Sequence, residues 1–210
     1  MDRSVQRTRL VVVEGCNGAG KSTVARYLSA RLGAALFHYP PEFVRFREEV
    51  GLDERVAPLP RLVYYLAGTL HLSDIVRTHL AQRHVVCDRY LPSPISLLLS
   101  EEAIDEPEIL RRTQPFEHYL CVPDVILLLT AEHAVARARI CSRSCDSGVM
   151  TPAARRSVES EEFFQKRETA IRKFAMRLGP VVELDTTNLS IEEMCGSAWN
   201  ALPSSILESP

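Results

Sequence analysis

Short apolar runs alternate along the chain with stretches of helical periodicity. Residues 10–13, 35–38, 84–87, 125–129 and 181–184 form the runs, rich in Val, Leu and Ile. Uniformly apolar runs of this length predict strands buried on both faces, as in a parallel sheet covered by helices. Between them, residues 22–32 place Val24, Ala25, Leu28 and Leu32 at helical spacing, with Gly33 as a stop. Tyr39-Pro40-Pro41 breaks the chain before a polar helix at 42–50 and a loop at 51–60. Residues 61–81 are apolar nearly all round, through Leu62, Val63, Leu66, Leu70, Leu72, Ile75, Val76 and Leu80. Such a helix is covered on several sides, and part of that surface is expected to meet a second copy in a homodimer. Further helices are predicted at 131–142 with Thr130 as N-cap, at 161–178 ended by Gly179-Pro180, and at 191–202 capped by Ser190. Residues 144–157 lack periodicity and are rich in Ser, Gly, Pro and Ala, which predicts a loop or mobile lid spanning about 144–158.

The expectation is one domain over residues 1–210, with a core at 9–202 and frayed ends at 1–8 and 203–210. Composition agrees: 46% hydrophobic and 25% charged is the balance of a globular chain. A net charge of −2, from 25 basic and 27 acidic side chains, gives no global field for a nucleic acid polymer or an anionic membrane, so an anionic partner must be gripped locally. The apolar runs fall far short of the roughly 20 residues that span a bilayer, and residues 10–13 are too short for a secretory signal, so a cytoplasmic protein is expected. The six cysteines show no CxxC spacing and read as reduced thiols.

Residues 15–23, Gly-Cys-Asn-Gly-Ala-Gly-Lys-Ser-Thr, fit G-x-x-x-x-G-K-[ST] between a predicted strand and a predicted helix. This context marks a phosphate loop. Backbone N–H groups of Gly15, Asn17, Gly18, Ala19, Gly20 and Thr23 would turn around phosphate oxygens, Lys21 would neutralise them, and Ser22 would ligate Mg²⁺. The fold it implies is a P-loop NTP hydrolase-type α/β three-layer sandwich, a five-stranded parallel sheet with helices on both faces and a short lid. Asp88 ends an apolar strand, where its carboxylate would join the Mg²⁺ shell, and Arg89 beside it suits a second anion. Arg143, Arg155 and Arg156 stand where a lid would bring cations onto a moving phosphoryl group.

In this combination the chain resembles the thymidylate kinase family of P-loop nucleoside monophosphate kinases. The resemblance rests on Glu14 to Thr23, on Asp88-Arg89-Tyr90 after an apolar strand, on Pro123-Asp124, and on Arg139-Ile140 with Arg143 leading into the lid. It implies MgATP on the phosphate loop, with Arg139 and Asp185 on the donor side. Arg89 would hold the acceptor phosphate, Tyr65 would stack on its base, and His38, Tyr39 and Tyr90 would complete the acceptor site. Where the family usually shows Arg-Glu-Pro, this chain has His38-Tyr39-Pro40. Thr69 stands near a position where the family has arginine, and Asn17 replaces a common acid. With no arginine in the loop itself, a transition-state arginine must come from the lid. Three readings stay open: a kinase of nucleoside monophosphates, a kinase of a nucleoside or other small hydroxylated metabolite with Asp88 as base, and a module that senses nucleotide without transferring phosphate.

Overall fold

Leu10 and Val12 point into one apolar core and Val11 and Val13 into another, so the first run is buried on both faces. It belongs to β1 (Leu10–Gly15) in a computed structural model that describes residues 7–207. Of the ends expected to fray, residues 1–6 and 208–210 lie outside the described residues. β1 pairs in parallel with β3 (Val85–Asp88) and β4 (Val125–Thr130), Val12 lying between Cys87 and Ile126. β2 (Ala35–Phe37) extends the sheet beyond β3, and β5 (Val181–Asp185) beyond β4. The five-stranded sheet has the order β2-β3-β1-β4-β5, the expected α/β architecture.

One face is covered by α1 (Lys21–Leu32), α10 (Ile191–Asn200) and α11 (Ser204–Leu207), through Val24, Leu28, Met194, Ala198 and Ile206. The other carries α4 (Pro58–Leu80), α5 (Pro92–Ser100), α6 (Glu106–Glu117) and α9 (Glu161–Leu178), through Leu66, Leu72, Ile95, Leu98, Ile109 and Phe174. Ser190 closes a capping box with Glu193 at the start of α10. Among the described residues no helix is long and apolar enough to cross a membrane.

The chain departs from its sequence pattern at four places. Residues 51–60 are not one loop: α2 (Pro41–Val50) is followed by α3 (Leu52–Arg55), and α4 already begins at Pro58, because prolines in a first turn lack only N–H groups that would have had no helical partner. Thr130 is the last residue of β4, paired with Asp185, and so cannot cap α7 (His133–Ser147), which starts after Glu132. The 144–157 stretch is not an irregular loop. α7 runs through its start, and α8 (Pro152–Glu159) forms behind Thr151, whose hydroxyl accepts the Ala154 N–H at 3.3 Å. The C-terminal end does not fray at once, since Ile206 of α11 is fully buried.

The segment between β3 and β4 forms α5 and α6. α5 is buried on nearly all sides, so it shows no amphipathic stripe, and its buried Ser96 and Ser100 hydroxyls donate back to Ser93 and Ser96 carbonyls at 2.7 and 2.5 Å. Because Leu98 lies wholly inside this layer, Leu98→Ala should cost about 2–5 kcal/mol of unfolding free energy, measured by urea denaturation.

Candidate active site

All five strands run in parallel, so their C-terminal ends gather the side chains of one site. β1 passes into the turn that opens α1. Gly15 sits at φ 143° and Gly18 at φ 84°, and a Cβ would fall 2.2 Å from the Leu129 carbonyl oxygen at the first and 2.4 Å from the Ala136 carbonyl oxygen at the second. Only glycine lets the loop pass that close to β4 and α7. Lys21 opens α1 and folds back, its Nζ donating to the Cys16 carbonyl at 2.6 Å. Burial, reinforced by the Arg89 charge, lowers the Lys21 pKa to about 7 against the pull of Asp88. Burial raises the Cys16 thiol to about 11, so it stays protonated and unreactive at neutral pH. Ser22 is exposed in the first turn of α1, and Gly20 and Ala19 lie in the loop behind it.

At the end of β3 the buried Asp88 accepts from His38 Nδ1 through Oδ2 at 3.2 Å, while its Oδ1 has no partner among the described residues. Burial alone would raise its pKa. The hydrogen bond from His38, the charges of Lys21 and Arg89 and the Ser22 hydroxyl outweigh burial and hold the carboxyl well below the usual carboxylate range. Arg89 takes the left-handed conformation, φ 80°, and its N–H donates to Val13 O at 3.0 Å. That turn aims its guanidinium at Asn17 Oδ1, 2.7 Å away, and at Ser93 Oγ, 2.9 Å away. Beneath it lies Glu14, fully buried, accepting the Tyr90 N–H at 2.7 Å and the Ser93 hydroxyl at 2.6 Å. Burial pushes the Glu14 carboxyl up, opposed by the Ser93 hydrogen bond and the Arg89 charge.

Arg89, Asn17 and Ser93 line a cavity of about 420 Å³. Its walls include Tyr39, Tyr65, Arg143 and the turn at Met150 and Thr151, and Tyr90 touches it from the core, its hydroxyl paired with that of Ser73. Tyr39 donates to the Tyr64 and Tyr65 carbonyls of α4 at 3.1 and 2.9 Å. It fits there because residue 68 is glycine: a Cβ at that position would lie 2.0 Å from its hydroxyl. The Tyr65 hydroxyl donates to Asp53, and its ring meets that of Tyr39 edge-on, centroids 5.9 Å apart.

On the other side of the loop, Arg139 donates to the Thr186 carbonyl at 2.7 Å and the Thr186 hydroxyl at 3.1 Å, tying α7 to the segment after β5. Asp185 shapes that segment by accepting the Thr187 N–H and hydroxyl at 2.9 and 2.5 Å. The three expected lid arginines separate. Arg143 lines the cavity, Arg155 is exposed on α8, and Arg156 is ion-paired with Glu101, which also holds Arg61 of α4 at 2.5 Å.

Four residues of the site escaped the sequence reading: Glu14 and Ser93 under Arg89, Asp53 against Tyr65, and Arg167 in the cavity wall. An acid closing an otherwise apolar strand was a usable signal for Glu14. The others depend on helices brought together only by the fold.

A phosphate loop on the central strand of such a sheet, with an acid and an arginine ending the neighbouring strand and a cavity beyond, defines a P-loop phosphotransferase of the nucleotide kinase kind. A sequence model described as thymidylate kinase matches residues 13–195, and the chain belongs to the thymidylate kinase family. Among curated relatives, a probable thymidylate kinase of Methanocaldococcus jannaschii is 25% identical over 88% of this chain and 90% of its own length. The thymidylate kinase of Solidesulfovibrio magneticus is 29% identical over 79% of this chain and 84% of its own. The fold is shared with Candida albicans thymidylate kinase, TM-score 0.67 at 18% identity over 92% of this chain and 90% of that one. It is shared too with deoxyadenosine kinase from M. mycoides, TM-score 0.64 at 18% identity over 93% and 99%. The chain is an ATP-dependent phosphotransferase of the nucleoside monophosphate kinase type.

Since Lys21 is largely neutral above pH 7 in the nucleotide-free protein, incoming phosphates should recharge it. Calorimetric titration with MgATP at pH 8, in buffers of different ionisation enthalpy, should show uptake of about one proton that vanishes below pH 6 and in Lys21→Met. Uptake that persists in the variant would place the proton elsewhere.

Proposed function

We propose that the chain transfers the γ-phosphoryl group of MgATP to the phosphate of a nucleoside monophosphate held in the Arg89–Tyr65 cavity, giving ADP and a nucleoside diphosphate. The observation that carries this reading is the cavity itself, lined both by a guanidinium hydrogen-bonded to the phosphate loop and by aromatic rings. An oxygen of the acceptor phosphate, already ionised, attacks Pγ as the bond from Pγ to the β-phosphate oxygen breaks, and the electron pair leaves on ADP. No base is needed. Lys21 and the loop N–H groups hold the donor phosphates, and Arg139 steadies the segment that passes the adenine. Arg89 takes the acceptor phosphate, and Tyr39 and Tyr65 take its base. Arg143, the lid-side arginine that lines the cavity, is assigned the charge developing on the moving group. Arg155 and Arg156 would reach that group only after α8 parts from Glu101.

The residues fit Mg²⁺. Asp88 is ionised with one buried oxygen unpartnered, and the Ser22 hydroxyl lies beside it, so these two would hold the ion directly or through its waters. The ion would neutralise charge on the β- and γ-phosphates.

A cytoplasmic location goes with these substrates. A homodimer is proposed on the apolar groove between α2 and α4, where Phe46, Leu59 and Val63 are exposed beside Val56 and Pro60.

ADP release from MgATP should be stimulated by one or two members of a nucleoside monophosphate panel, with thymidine monophosphate tried first, and not by the matching nucleosides. Arg89→Ala should lower kcat/KM for that acceptor by about 100- to 1000-fold with the fold intact. Stimulation by a bare nucleoside would overturn the assignment.

A further inference from the structure

Arg167 is the cation that the proposed site does not yet explain. It stands on α9, between Phe164 and Ile171 of the core, in the middle of an otherwise apolar face. Only 4% of it is exposed, yet it forms part of the cavity wall with Asn17, Arg89 and Ser93. Its Nε donates to Ser96 Oγ at a long 3.4 Å, and its Nη1 has no partner. No carboxylate lies within ion-pairing distance of it among the described residues, and both oxygens of the neighbouring Glu14 already accept from Tyr90 and Ser93. Burying a guanidinium with an orphan donor is costly, and it destabilises the fold unless something satisfies it. Packing does not require it, because an apolar side chain would complete that face of α9 at lower cost. Burial and the nearby Arg89 lower its pKa, the sign of a cationic site lacking its anion.

We infer that Arg167 is a second acceptor-binding residue, whose guanidinium, part of the cavity wall and short of a partner, turns to pair with a phosphate oxygen of the acceptor already held by Arg89, and that this two-arginine floor selects phosphorylated over unphosphorylated acceptors. This rests on the proposed cavity function and assigns it a specificity residue. Arg167 is fixed by α9 while Arg89 is fixed by the turn after β3. The two approach the cavity from different elements and can grip different oxygens of one phosphate.

The test is calorimetric binding of thymidine monophosphate, thymidine and MgATP to the full chain and to Arg167→Met. Arg167→Met should weaken thymidine monophosphate about 10- to 100-fold and leave thymidine and MgATP unchanged, with Arg167→Lys recovering part of the loss. Unchanged monophosphate affinity in Arg167→Met would overturn the inference. Should that variant not fold, Arg167→Gln, which keeps an N–H donor without the charge, gives the same comparison. A parent chain that binds none of the monophosphates would refute the acceptor reading instead. In that case inorganic phosphate is the probe: binding to the parent chain and loss in Arg167→Met supports Arg167, and equal binding to both, or to neither, overturns it.

Discussion

A carboxylate without solvent access anchors the site. Glu14 closes the central strand just before the phosphate loop, and its two oxygens are taken by the Tyr90 N–H and the Ser93 hydroxyl. Those bonds hold the turn after β3 in a left-handed residue, Arg89, that no glycine relieves. Burying an acid in this way is tolerable only while both hydrogen bonds persist, which makes the arrangement nearly all-or-none. One buried carboxylate therefore locks the strand that carries the phosphate loop to the turn that carries Arg89.

From that lock the division of the site follows. The groups proposed to hold the donor hang on β1, α1 and the segment after β5, which Arg139 ties to α7. Those proposed to hold the acceptor hang on α4, α5 and α9, the helices of the opposite layer. The two sides meet over the sheet's carboxyl edge, where Asn17 of the loop accepts from Arg89. A family that uses acid in the place of Asn17 would neutralise that arginine. The neutral amide orients Arg89 and leaves its charge for an anion, and Arg47, Arg143 and Arg167 line the same cavity with one carboxylate, Asp53.

Legibility in the sequence tracked the range of the forces involved. The sheet was readable because its three central strands, β3, β1 and β4, are buried on both faces, and the phosphate loop because its glycines, lysine and serine act within nine consecutive residues. Asp88 and Arg89 were readable from a strand end. What escaped was set by tertiary burial. α5 has no polar face to announce it, and Thr130 was claimed by the sheet before it could cap a helix. The lid arginines looked equivalent until α8 placed Arg156 against Glu101 and left Arg143 at the cavity. Arg167 sits at helical spacing among Phe164, Ile171 and Phe174, a usable signal that it faces inward, but its place in the cavity wall depends on the fold.

The most direct test of the two-sided site is a crystal structure with a bisubstrate analogue, adenosine joined through a phosphate chain to thymidine. The account predicts the adenosine beside Arg139 and Thr186, the phosphates across the loop from Lys21 to Arg89, and the thymidine ring in the cavity that Tyr39 and Tyr65 line. A thymidine end lying outside that cavity, with Arg89 still bound only to Asn17 and Ser93, would contradict it.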